Sequence, residues 1–284
     1  MVVCCVVSRS TIEHARRHMN IESNPASRLH SLLTALQEGP RDERVLDAWA
    51  RILEITDRIE VEVPRRLVLL NDLLDEAEEY IKLIPSLNHK IYVSCFPQIR
   101  TLFSPLHVHT DRAGFILPHL NPEVMARLEF CAEALQQTWS ERSIPQEDLQ
   151  AISNELNALV ESVAASSIDA RLRAALLEAL EVVRLSISQY RIHGAKALKK
   201  SLQGLFGLVF TERAELKKQS EKNADVIDRL GRLIDKIDST VATAIKIKKA
   251  LTKPVSYLIG LVADTDQSHA DEAPTYSATT SIEA

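Results

Sequence analysis

The sequence predicts an all-α protein, an irregular multi-helix bundle whose C-terminal half is built from long antiparallel helices. Three observations carry this. Only 7 of the 284 residues are glycine, too few for the tight turns of a β-sandwich or the Gly-rich loops of a doubly wound sheet. Leu, Ala, Glu, Lys and Arg supply the bulk, and these side chains lose little freedom on a helix surface. Helix starts are also explicit: Asn24-Pro25 and Asn121-Pro122 each set an N-cap acceptor before a proline, whose missing N–H costs nothing at the first helical position.

Taken in order, the first helix is expected from Pro25 to Glu38, ending at Gly39-Pro40. A second runs from Asp42 to Ile59, the chain breaks near Pro64, and a third runs from Arg65 to Ile84. Pro85, Pro97, Pro105 and Pro118 then cut the chain, so 85–120 is expected to hold short helices at most. The helix from Pro122 to Trp139 sets Val124, Leu128, Cys131, Ala132 and Leu135 on one face.

From Pro145 onward the pattern is long and continuous, with helices expected at 145–164, 168–193, 195–219 and 223–252. The second of these carries a stripe from Ile168 through Leu172, Leu176, Leu180, Val183 and Ile187 to Tyr190, widened by Leu177, Val182 and Leu185. Such breadth predicts packing on two sides. Gly194 is expected to close it as a left-handed C′ residue. In the last helix Ile227, Leu230, Ile234, Ile237 and Val241 alternate by three and four, the rhythm of a coiled-coil seam. Docking of that seam on the chain's own bundle is favoured over an intermolecular coiled coil.

These readings divide the chain into an N-terminal extension (1–23), an N-terminal helical subdomain (24–140), a long-helix C-terminal bundle (141–263) and a tail (264–284) without apolar periodicity that is expected to be disordered. Met19 opens a run that also reads as a natural start, so motifs before it carry little weight. Cys4, Cys5, Cys95 and Cys131 form neither a disulfide framework nor a metal-binding pair, and Cys95 and Cys131 read as inert core thiols. No window of about 20 apolar residues is present for a spanning helix, and a cytoplasmic location is expected.

Charge is unevenly distributed. Residues 191–253 carry 15 Lys and Arg against 7 Asp and Glu, so in a chain of net charge −5 the remainder holds −13. An acidic half docking on a basic half is the favoured explanation. Nucleic-acid binding is disfavoured, because few aromatic residues interleave the basic ones and Tyr190, Phe206 and Phe210 are expected to pack inside. The lysines Lys246, Lys248, Lys249 and Lys253 precede the charge-free stretch from Pro254 to Ala263, a pattern suited to the surface of an anionic membrane.

Candidate chemistry is sparse. His107, His109 and His119 lie in the proline-broken region, and in an extended segment His107 and His109 would share a face, as metal ligands do. His14, His18 and Glu22 are spaced for one helical face. The acidic run Asp72, Asp75, Glu76, Glu78 and Glu79 reads as a solvated helix surface. No hydrolase, phosphate-loop, dinucleotide or kinase motif is found, and no cofactor is expected. The turn Tyr190-Arg191-Ile192-His193-Gly194-Ala195 is the most information-rich in the chain, either a recognition corner or, the favoured reading, a helix cap in which Arg191 and His193 complement the negative helix end.

The leading expectation is a non-catalytic helical interaction or scaffold protein, with protein partners or self-association through the seam at Ile227, Leu230, Ile234, Ile237 and Val241. The alternative is a peripheral membrane or effector protein acting through 240–263. The third reading is a metal-dependent enzyme at the histidine cluster.

Overall fold

The computed structural model describes residues 22–220 and 222–245, and the protein is all-α over these residues. The first helix, α1 (Pro25–Gln37), begins where the sequence predicts. Asn24 accepts from the Ser27 N–H while Ser27 Oγ accepts from the Asn24 N–H, a reciprocal cap that satisfies two helix-end donors. Helix α2 (Val45–Ile52) is shorter than expected. Helix α3 (Ile59–Lys82) runs straight through Pro64. That overturns the expected break: the ring sits in the second helical turn, and the buried stripe Val63, Leu67, Leu70 and Leu74 continues on both sides of it.

Four short helices follow, α4 (His89–Tyr92), α5 (Phe96–Thr101), α6 (Pro105–Thr110) and α7 (Ala113–Ile116), as the prolines predict. Helix α8 (Pro122–Trp139) is capped by Asn121, whose side chain accepts from the Val124 N–H at 3.0 Å. Around Trp49 and Phe96, both fully buried, these elements form a first core, with α1 between α3 and α8.

The second core is a ring of four long helices. Helices α9 (Gln146–Ala165) and α10 (Ala170–Ser188) are joined by a short loop that makes them antiparallel. A single turn, α11 (Tyr190–His193), leads to α12 (Ala195–Thr211); then α13 (Arg213–Gln219) leads to α14 (Ala224–Ile245), which closes the ring against α9. The chain therefore breaks twice where continuous helices were expected, at Gln189 and Glu212, where the backbone leaves helical geometry. Helix α10 lies between α9 and α12, but Val182 and Leu185 face solvent. Phe210 is exposed too, against the expectation that it packs inside.

Two elements had no counterpart in the sequence patterns. Strands β1 (Glu22–Ser23) and β2 (Glu141–Arg142) pair antiparallel, Glu22 opposite Arg142 and Ser23 opposite Glu141. This short ladder ties the start of α1 to the segment connecting the two cores. No helix among the described residues is long and apolar enough to cross a membrane.

Candidate functional site

The two cores meet at the corner the sequence singled out. Ile192, on α11, is 1% exposed and packs into the first core although its neighbours in sequence belong to the second. Arg28, on α1, lies on that helix's buried stripe beside Leu29 and Leu32 and is 8% exposed. Its Nε donates to the Ile192 carbonyl at 2.9 Å, and its Nη1 donates to Glu141 Oε1 at 2.7 Å and to Ser23 Oγ at 3.3 Å. Glu141 Oε1 also accepts from the Ala195 N–H at 3.2 Å. One buried ion pair thus joins α1, the β-ladder and the start of α12. A buried charge is tolerated only when partnered in this way.

Gly194 makes the arrangement possible. Its backbone has φ 64° and ψ −157°, outside the left-handed helical well and within a region open essentially to glycine alone. Gly194 ends α11 with positive φ as expected, its N–H donating to the Tyr190 carbonyl at 2.8 Å, but its ψ lies outside the left-handed helical well and carries the chain directly into α12. A Cβ at this position would stand 2.6 Å from Arg28 Nη1 and closer still to Glu141 Oε1.

Arg191 and His193 both lie in the last turn of α11, and Arg191 also reaches across the junction. Arg191 Nη1 donates to the Ile52 carbonyl at 3.0 Å and Nη2 to Glu54, both in the first core's half of the molecule. Lys196 Nζ donates to Glu76 Oε1 at 2.6 Å and to the Tyr80 hydroxyl, and lies 4.7 Å from the Tyr80 ring centroid. Tyr80 in turn stacks on Trp139, centroids 5.0 Å apart. Two basic residues of the C-terminal half therefore bind acidic residues of the N-terminal half, so Glu76 leaves the solvated acidic face of α3 for the junction. Arg66 Nη2 adds a bond to Ser188 Oγ at 3.0 Å.

Ionisation at the junction follows burial and neighbours. Burial pushes the Glu141 carboxyl above its ordinary range, against the pull of Arg28. Burial also raises Glu76, but the Lys196 hydrogen bond and charge, with Tyr80 and Arg28, outweigh it and hold that carboxyl below the ordinary range. Burial and then the Arg28 charge lower His193, so its imidazole is held neutral. Burial raises the Tyr190 phenol, whose oxygen accepts from the Ile144 N–H at 2.7 Å.

A cleft of about 380 Å³ opens beside this corner, at the small end of the range for ligand sites. Its polar lining consists of Ser23, Ser27, Ser31, Ser143, Tyr190, Arg28 and Arg191, with no acidic side chain. Arg28 Nη2 is buried without a hydrogen-bond partner. A second cleft lies on the other side of Tyr190 and Arg191, against Glu54 and Gln150.

The other candidate residues are placed differently. Ile227, Leu230, Ile234, Ile237 and Val241 are all buried in the second core, so the seam packs on its own bundle and presents no free face for self-association. His107 and His109 lie in α6, not in an extended segment, because Pro105 starts a helix there; two residues apart on a helix, they no longer share a face. His107 Nδ1 instead meets Asp111 Oδ2 at 2.6 Å, and His119 is exposed on a separate turn. The side chain of His109 lies outside the description. Among the described residues no three His, Cys, Asp or Glu side chains gather as a metal site. His14, His18, the side chain of Glu22, Lys246, Lys248, Lys249, Lys253 and the tail all lie outside the described residues.

Sequence reasoning missed Arg28, Glu141 and the contact between Cys95 and Cys131. A signal existed for Arg28, an arginine on the apolar stripe of its helix. For Glu141 there was none, since its partners lie 113 and 54 positions away. No protein-family model, curated protein or solved structure matches the chain.

Proposed function

We propose that the chain is a non-catalytic helical interaction protein whose recognition site is the cleft at the junction of its two cores, and that it takes an acidic segment of a protein partner. The observation that carries this reading is the lining of the cleft: two guanidinium groups, four serine hydroxyls and a tyrosine, with no carboxylate among them. Arginine forks match carboxylates in geometry as well as charge.

Both arginines already hold a carboxylate, and they differ in how firmly. The Arg28–Glu141 pair is 8% exposed on both sides and serves the fold. The Arg191–Glu54 pair is about half exposed, and exposed pairs of this kind are worth about 0–1 kcal/mol. An incoming carboxylate can replace Glu54 on Arg191 at little cost.

The test is binding of a fluorescent hepta-glutamate peptide, with hepta-lysine as the control, to the full chain and to Arg191→Glu. Saturable binding of the acidic peptide that weakens at least about tenfold in the variant, with unchanged helicity, is the expected result. Absence of binding, or equal binding by both proteins, would overturn the proposal.

A further inference from the structure

Away from the junction, the first core holds a pair of thiols that the sequence presented as two unrelated core residues. Cys95 sits on the single 3₁₀ turn Val93–Cys95 between α4 and α5, and Cys131 sits in the middle of α8. Both are fully buried. Their sulfur atoms reach the same acceptor, the Tyr92 carbonyl, at 3.4 Å from Cys95 and 3.5 Å from Cys131, so the two thiols converge on one oxygen. The 3₁₀ turn packs directly on α8.

We propose that Cys95 and Cys131 are a redox-active dithiol that closes to an intramolecular disulfide under peroxide, fastening the short-helix region to α8. A covalent bond between two cysteines needs their backbones already close and their sulfurs facing one another. One shared acceptor and the packing of the 3₁₀ turn on α8 provide that closeness. The surroundings act on the thiolate in both directions, Arg127 for it and burial against it. Arg127, one turn before Cys131 on α8, donates to Ser94 Oγ and to the Ile91 carbonyl at 3.2 Å, which pins a positive charge beside the turn carrying Cys95. The adjacent Cys131 thiol holds the Cys95 thiol below its ordinary range, with Arg127 adding to the effect and burial and Glu78 opposing it, while Cys95 and burial push Cys131 up.

The chemistry balances with one peroxide molecule. Cys95 Sγ, as thiolate, attacks an oxygen of the O–O bond; that bond breaks, the departing oxygen leaves as water after taking a proton, and Cys95 becomes a sulfenic acid. Cys131 Sγ then attacks the Cys95 sulfur, the S–S bond forms, and the sulfenic oxygen leaves as a second water carrying the Cys131 proton. Two electrons pass from the thiols to the peroxide. Because both sulfurs are shielded, the oxidant enters when the short helices α4 and α5 part from α8, which makes closure slower than for a surface thiol.

The experiment uses the full chain carrying Cys4→Ser and Cys5→Ser, so that only this pair can react. Folded protein is exposed to hydrogen peroxide, quenched in acid, alkylated under denaturing conditions and digested without reductant. The expected result is a peptide pair joined through Cys95 and Cys131 that separates on reduction, with a rise in thermal midpoint on the order of 5 °C in the oxidised protein. In a further Cys131→Ser variant, the same treatment is expected to leave Cys95 as a sulfenic or sulfinic acid. Full alkylation of both residues in the first protein, or over-oxidation of Cys95 there without a joined peptide, would overturn the proposal.

Discussion

The first core is assembled from three longer helices and a run of short, proline-punctuated ones, whereas the second is a ring of four long helices. Among the described residues, only the first incorporates a residue from across the boundary, Ile192. The second core is nearly self-sufficient: α9, α10, α12 and α14 bury continuous apolar stripes on one another. The contrast teaches that long amphipathic helices fix their own neighbours, while an irregular assembly is completed from outside, here by the corner from Tyr190 to Lys196. That corner also shapes the cleft. Damage to the corner is therefore expected to separate the two cores before it unfolds either.

The largest effect is expected from Gly194→Ala. The new side chain needs a backbone region closed to it and overlaps the Arg28–Glu141 pair, so a loss of about 3 kcal/mol or more is expected in urea unfolding. The accompanying result is faster proteolysis of the 141–145 connection; an unchanged midpoint with an intact connection would show that the corner holds nothing together.

Breaking the buried ion pair comes next. Arg28→Met leaves Glu141 charged and buried, at a cost of about 3 kcal/mol. Adding Glu141→Met should restore much of that loss, because an apolar pair carries no desolvation penalty. A double variant as unstable as the sum of the singles would place the value of Glu141 in its bond to the Ala195 N–H.

Ile192→Ala tests the borrowed residue. Removing a fully buried isoleucine should cost about 2–4 kcal/mol. The loss should appear in the first core's signal before the second's.

The smallest effect concerns pH. His193 and Glu76 are both held below their ordinary values, so each contributes stability that is present above its unfolded pKa and lost as pH falls through its folded one. Thermal midpoints should therefore decline from about pH 6.5 downward, and His193→Gln should remove the upper part of that decline. Glu141, held above its ordinary value, has the opposite sign, contributing stability that fades as pH rises through its folded pKa. A steeper acid decline in His193→Gln would mean that the imidazole is charged at the junction.

Helix starts at Asn24-Pro25 and Asn121-Pro122 and the stripes of α10 and α14 were legible because caps and 3.6-residue periodicity are local properties. Pro64 misled because a local rule gave way to burial of Val63 and Leu67. The short breaks at Gln189 and Glu212 carry no proline or glycine and could not be read. The site was half legible: Gly194 and its neighbours stand out in sequence, but the meaning of the corner depends on Arg28 and Glu141, which pair over 113 positions. The two cysteines were visible and their contact was not, for the same reason.

The central claim, that the corner makes the two cores one cooperative unit, has a built-in probe. Both tryptophans, Trp49 and Trp139, lie in the first core's half of the chain, so their fluorescence reports that half while far-UV ellipticity reports every helix. In urea the two curves for the unmodified protein are predicted to superimpose as a single transition. A fluorescence transition at a distinct urea concentration from the ellipticity transition would contradict the account.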